Sequence, residues 1–161
     1  MLETLKTFKG LPHRCQNIAE ADGVVFIDDS KATNLGATVA ALKGLGSKQS
    51  KNLILIAGGQ AKGQDFTDLK EWITRYVRHT VLLGEDSAEI EQILGPNDSF
   101  VVVDSMQSAV AEAAHMATCG DIVLLSPACA SFDMFSGFEH RGQCFQDAVS
   151  DFLSKRQGGR Q

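Results

Sequence analysis

The chain has 161 residues, 43% of them hydrophobic and 22% charged, with 15 Lys and Arg against 20 Asp and Glu for a net charge of −5. That length supports one domain with a sizeable core, and the composition is that of an ordinary soluble globular protein. The acid excess argues against general affinity for nucleic acid or an anionic membrane, no apolar run approaches bilayer length, and "MLETLKTFKG" carries no signal-peptide core.

The first feature along the chain is "GLPHR" (10–14), where Pro12 stiffens the approach to Arg14. "CQNIAE" and "VVFIDD" then flank Asp22-Gly23, which predicts a hairpin adding one antiparallel strand. Five apolar runs recur at 24–27, 53–59, 80–84, 100–104 and 122–126. They are rich in Val, Ile and Leu without polar alternation, the pattern of strands buried on both faces of a sheet. Between and after them lie helical periods. Leu35, Val39 and Leu42 share one face, and Phe66, Leu69, Ile73 and Tyr76 another. Ile90, Ile93 and Leu94 mark a short helix stopped at "GP" (95–96). Met106, Val110, Ala113 and Ala117 follow a Ser105 cap and end near Gly120, and Phe138, Phe145, Val149 and Phe152 mark the last helix. The alternation predicts an α/β, Rossmann-like, open and mostly parallel sheet with helices on both faces. No repeat or internal linker divides it, so 1–161 is expected to form a single domain, with "KRQGGRQ" (155–161) a flexible tail.

In such sheets ligands bind beyond the C-terminal ends of the strands. Three loops there are unusually polar: "DDSKATN" (28–34), "AGGQAKGQDF" (57–66) and "SPACASFDMFSGFEHRG" (126–142). Each has a plain reading. Ser30, Thr33 and Asn34 would cap a helix whose positive end favours Asp28 and Asp29, while Lys62 and Arg14 would be solvated surface cations. Together, three cations and several hydroxyls at one sheet end suit an anionic small molecule. The phosphate-loop pattern fails, because Gln64-Asp65 stands where Gly58 to Gly63 should be followed by Lys and a hydroxyl. G-x-G-x-x-G after a strand and G-x-S-x-G are both absent. Cys15, Cys119, Cys129 and Cys144 form no CxxC pair and read as free thiols in a reducing cytoplasm, Cys129 as a packed one. His13, His79, His115 and His140 fit no metal spacing, and His79 and His115 are expected on helix surfaces or ends.

The segments "GLPHR", "DDSKATN", "GGQAKGQDF", "LLSPACASFDMF" and "GFEHRG" resemble, in order and spacing, the C-terminal domain of the muramyl ligases, in particular those that add D-glutamate to UDP-N-acetylmuramoyl-L-alanine in peptidoglycan biosynthesis. The resemblance runs from about residue 5 to residue 153. It implies an ATP-dependent amide-bond ligase of three domains that works through an acyl phosphate in the bacterial cytoplasm. The first domain would bind the UDP sugar, and the central one would hold ATP and Mg2+. This third domain would bring D-glutamate and hold no cofactor of its own. Residues 1–9 would be the interdomain linker, the chain a monomer, and the fragment alone inactive. By position, the resemblance gives Arg14 and Asp29 nucleotide contacts and gives Lys31 a catalytic place near the transferring phosphoryl group, where a cation offsets growing charge. It gives D-glutamate to Thr33, Lys62, Ser131 and the N–H of Phe138, with Thr33 and Lys62 on one carboxylate and Ser131 and Phe138 on the other. The rival readings are a folylpolyglutamate-synthase-like ligase domain and a non-catalytic α/β ligand-binding module.

Overall fold

A computed structural model describes residues 11–47 and 49–158. The linker expected at 1–9 lies outside the described residues, as do 159–161 of the tail. Six strands form one sheet in the order β1-β2-β6-β3-β4-β5. They are β1 (Gln16–Ala21), β2 (Val24–Asp28), β3 (Leu53–Ala57), β4 (Val77–Leu82), β5 (Phe100–Val102) and β6 (Ile122–Leu125). All neighbouring pairs are parallel except β1 with β2. That pair is the hairpin the sequence predicts. Asp22 and Gly23 have φ of 51° and 76°, the double left-handed geometry whose twist matches that of the flanking strands.

The helices are α1 (Leu35–Leu45), α2 (Leu69–Tyr76), α3 (Ser87–Ile93), α4 (Met106–Met116) and α5 (Phe138–Gly158). Ser105 caps α4 by accepting from the Ser108 N–H at 3.2 Å. The third helix ends at Ile93, just before Gly95-Pro96, since proline has no N–H to continue the ladder. The last helix runs as far as Gly158, so residues 155–158 of the expected tail are helical. His79 is a correction: it lies buried on β4, with Nδ1 2.7 Å from the Ser99 hydroxyl, because β4 begins directly after Tyr76. His115 sits in the last turn of α4, as expected.

Alternate side chains of one strand serve two cores. Leu53, Leu55 and Ala57 of β3 pack with Leu42, Leu69 and Ile73 on the face covered by α1, α2 and α3. Ile54 and Ile56 pack with Val110, Phe145 and Val149 on the face covered by α4 and α5. All five β3 residues have 0% exposure, as an unbroken apolar run requires. Phe138 does not share the buried face of Phe145 and Val149; it opens α5 and stays half-exposed at the C-terminal end of the sheet. Strand β6 lies between β2 and β3, so the loops leaving β3 and β6 diverge to opposite faces. The crevice between diverging loops is where open α/β sheets bind ligands.

Candidate functional site

Backbone hydrogen bonds stitch the loops above this crevice. Gln60 and Ala130 exchange both N–H···O bonds, at 2.9 and 3.0 Å, and the Gly58 N–H donates to the Pro127 carbonyl at 2.9 Å. A side chain at Gly59 would run into the Ala130 carbonyl, and one at Gly84 would lie 2.6 Å from the Gly59 backbone. These glycines are close approaches of main chain to main chain, with no phosphate cradle needed to explain them. Gln64, which spoils the phosphate-loop pattern, has a different task. Its amide donates to the Ala61 and Ala128 carbonyls and accepts from the Leu35 N–H at 2.7 Å, tying the loop to the start of α1.

Arg141 is the post beneath these loops. It is 2% exposed, and Nε donates to Ser30 Oγ at 3.0 Å, one terminal nitrogen to the Cys129 carbonyl at 3.0 Å and the other to the Ser30 carbonyl at 2.9 Å. Burial pulls its pKa down to about 10, so it stays charged at neutral pH. Ser30 is therefore no helix cap: its hydroxyl donates to the Phe138 carbonyl at 2.8 Å and accepts from Arg141. Asn34 alone caps α1, accepting from the Ala37 N–H at 3.0 Å.

Four carboxylates at this end accept hydrogen bonds from the protein. Asp28 accepts from His13 Nδ1 at 2.7 Å, the Gln146 amide at 2.8 Å and the Ser30 N–H at 3.0 Å. Asp29, 7% exposed, accepts from the Cys15 N–H at 3.1 Å and Ser126 Oγ at 2.8 Å. Burial raises its pKa above the usual carboxylate value, only partly offset by those two donors. Asp86 takes the Ala61 N–H at 2.8 Å, and Asp133 the Glu85 N–H at 2.9 Å. Cys129 is a packed thiol at 0% exposure, pushed up to about 12 mainly by burial, which makes it a poor nucleophile.

The cations are not spent. Among the described residues, Arg14, Lys31 and Lys62 have no carboxylate partner, and all three are exposed. Lys31 Nζ lies 4.7 Å from the centre of the Phe138 ring, and Lys62 Nζ 5.2 Å from that of Phe132. The Lys31 N–H donates to the His13 carbonyl, so the segment 11–14 that carries Arg14 meets the loop 28–34. Thr33 is half-exposed on the next turn of the same loop. Ser131 is 2% exposed and stands one residue before the ring that carries Lys62. The Phe138 N–H opens a 21-residue helix, where the first amide groups lack helical acceptors. The structure thus gathers all seven predicted residues at one end of the sheet. Arg14, Lys31 and Lys62 are exposed, Thr33 and Phe138 are partly buried, and Ser131 and Asp29 are buried. Sequence reading missed Arg141, Ser126, Gln64 and His13 as the scaffold. The reason for Gly142 beside Arg141 shows only in the fold, where a Cβ would collide with the His13 ring.

Chemically, this is an open electropositive face with fixed donors, suited to an anion with two separated negative groups. No group of three or more His, Cys, Asp or Glu side chains that could hold a metal occurs among the described residues. A cavity of about 140 Å3 lies at the opposite end of the sheet, lined by Asp22, Phe26, Cys119 and Arg156 among others, away from every residue above. None of the described helices is long and apolar enough to cross a membrane.

Comparison with known proteins bears on this face. The family model for "Mur ligase, glutamate ligase domain" matches residues 13–129. A UDP-N-acetylmuramoylalanine–D-glutamate ligase of Pseudomonas syringae pv. syringae is 52% identical over 149 residues, which is 92% of this chain and 33% of the relative. One of Pseudomonas aeruginosa is 52% identical over 151 residues, covering 94% and 34%. The chain therefore spans about a third of the length of the curated relatives it matches. Among solved structures, the MurF ligase of Thermotoga maritima in complex with ADP aligns with a TM-score of 0.64 at 18% identity, over 97% of this chain and 34% of that one. Escherichia coli FolC in complex with ADP aligns at 0.57 and 18%, over 92% and 33%. At those identities the likeness is one of fold.

Proposed function

On the premise that this chain belongs to the Mur ligase glutamate ligase domain family, we propose that it is the C-terminal domain of an ATP-dependent ligase. That ligase joins D-glutamate to UDP-N-acetylmuramoyl-L-alanine in the cytoplasm of a bacterium. The observation that carries this reading is the set of cations without a carboxylate partner, Arg14, Lys31 and Lys62, held at one sheet end where Asp28, Asp29, Asp86 and Asp133 accept hydrogen bonds from the protein. The names of the relatives at 52% identity supply the substrates.

In the reaction, the alanyl carboxylate of the precursor takes the γ-phosphoryl group of ATP, leaving ADP. The amine of D-glutamate attacks the carbonyl carbon of that acyl phosphate; the C–N bond forms, the C–O bond to phosphate breaks, and the amine loses a proton. Phosphoryl transfer of this kind is catalysed mainly by positioning and electrostatics. Lys31 is a cation for the transferring group. Thr33 with Lys62, and Ser131 with the Phe138 N–H, are two separated donor sets for the two carboxylates of D-glutamate. Arg14 suits nucleotide phosphate oxygens through its planar fork. Asp29 orders the Arg14 segment through the Cys15 N–H and keeps only its remaining lone pairs for a ribose hydroxyl. In this reading ATP and Mg2+ belong mainly to the rest of the ligase, as the family resemblance implies. Acting as one domain of a three-domain monomer, this chain alone would not ligate.

An amide NMR titration of the chain tests the reading. D-glutamate should shift resonances around Thr33, Lys62, Ser131 and Phe138, L-glutamate should not, and Lys62→Ala should abolish the response. Equal shifts with both enantiomers would instead favour an L-glutamate ligase and overturn the assignment.

A further inference from the structure

Phe132 is the most exposed large hydrophobic residue described, at 64%, and an exposed phenyl ring contributes little to a core. What it touches is Lys62, whose Nζ lies 5.2 Å from the ring centre. Lys62 is itself costly where it stands. Its φ is +53°, a left-handed conformation that is strained for side-chain-bearing residues, and Gly63 follows at +74°. From there the lysine side chain reaches the β6–α5 loop, where it meets the ring.

We propose that Phe132 is a positioning residue for the amino-acid substrate: its ring holds the Lys62 ammonium over the β6–α5 loop, beside Ser131, before the substrate carboxylate arrives. The inference rests on the reading above that Lys62 binds a carboxylate of D-glutamate. A lysine side chain has large rotamer freedom, part of which is otherwise lost when the ligand binds. An ammonium seated on a ring face keeps N–H donors on its far side, so the contact orders the cation without occupying it. A carboxylate partner would have ordered it too, but would compete with the substrate. Asp28, Asp29, Asp86 and Asp133 instead accept from His13 and from backbone N–H groups. Lys31 over Phe138 repeats the arrangement at 4.7 Å, with the ring from the same stretch of chain.

Initial-rate kinetics of the full-length ligase test this, with Phe132→Leu, Phe132→Trp, Lys62→Ala and the double variant Phe132→Leu/Lys62→Ala. Phe132→Leu keeps apolar bulk and removes the ring. It should raise KM for D-glutamate about 3-fold, with kcat and KM for ATP unchanged. Phe132→Trp should restore KM. In the Lys62→Ala background, Phe132→Leu should add nothing to the loss in kcat/KM. An unchanged KM in Phe132→Leu, or the same factor with and without Lys62, overturns the proposal. So does a rise confined to KM for the UDP-sugar precursor, which would make the ring a docking surface. If Lys62→Ala leaves KM for D-glutamate unaltered, the assignment of Lys62 fails and this inference falls with it. If Lys62→Ala raises KM and Phe132→Leu does not, only the role of the ring is lost.

Discussion

The two ends of the sheet handle charge in opposite ways. At the N-terminal ends of the strands, Arg78 pairs with Asp121, Arg156 with Asp22 at 3.3 Å, and His79 lies 3.9 Å from Glu112. At the C-terminal ends, Asp28, Asp29, Asp86 and Asp133 accept from backbone N–H groups, His13 and Ser126, and Lys31 and Lys62 lie over aromatic rings with no carboxylate partner. One end closes its own electrostatic accounts and serves the fold. The other leaves positive charge without a carboxylate partner, which is what the proposed anion site calls for.

The comparison breaks most severely at Arg141. Replacing it by Met removes three hydrogen bonds and strands two carbonyls, so stability should fall by roughly 3–5 kcal/mol. Thermal denaturation should show a midpoint about 10 °C lower. Glycines sharpen the contrast next. Gly142→Ala places a methyl on the His13 ring and 2.9 Å from Asp28 Oδ2, and should cost about 1–3 kcal/mol in a urea titration. Gly120→Ala, at the other end with φ +93° and nothing within 4 Å, should cost only about 1 kcal/mol of backbone strain. Lys62→Gly should go the other way. Relief of the left-handed backbone outweighs the entropy of glycine by about 0.5–1 kcal/mol, so the variant should melt higher while losing the D-glutamate response in NMR. Arg156→Ala should move stability by about 0.5 kcal/mol or less, because its pair is half-exposed.

A slope with pH separates the ends as well. The folded pKa of Asp29 is raised by burial, so the folded chain binds more protons than the unfolded one between 3.8 and that raised value. Its contribution therefore falls as pH rises through that window, and Asp29→Asn should remove this fall in chemical denaturation series. The folded pKa of His79 is lowered by burial, so the unfolded chain binds more protons between that value and 6.5. Its contribution rises with pH through that window and is complete above 6.5; His79→Gln should flatten the rise. Parallel slopes from the two variants would contradict the assignment.

Much of this was legible before any coordinates. The apolar runs marked β2 to β6, Asp22-Gly23 marked the hairpin and Ser105 marked the start of α4, because each depends on side-chain period or on dihedrals set by one or two residues. The polar loops do lie together at one end of the sheet, and the seven residues singled out there gather with them. The placement of His79 on a strand was not legible, since three residues of β4 precede the apolar run and carry no alternation.

The sequence by itself determined the strand and helix order, the hairpin and the location of the cationic face, for these follow from local period and from the rule that ligands sit where strands end. Only the tertiary structure decided which polar residues build the face and which merely hold it. Ser30 and Arg141 are 111 residues apart, and Asp29 and Ser126 are 97 apart. No local pattern distinguishes a serine that caps a helix from one that seats a buried arginine, because the difference lies in what the fold brings opposite it.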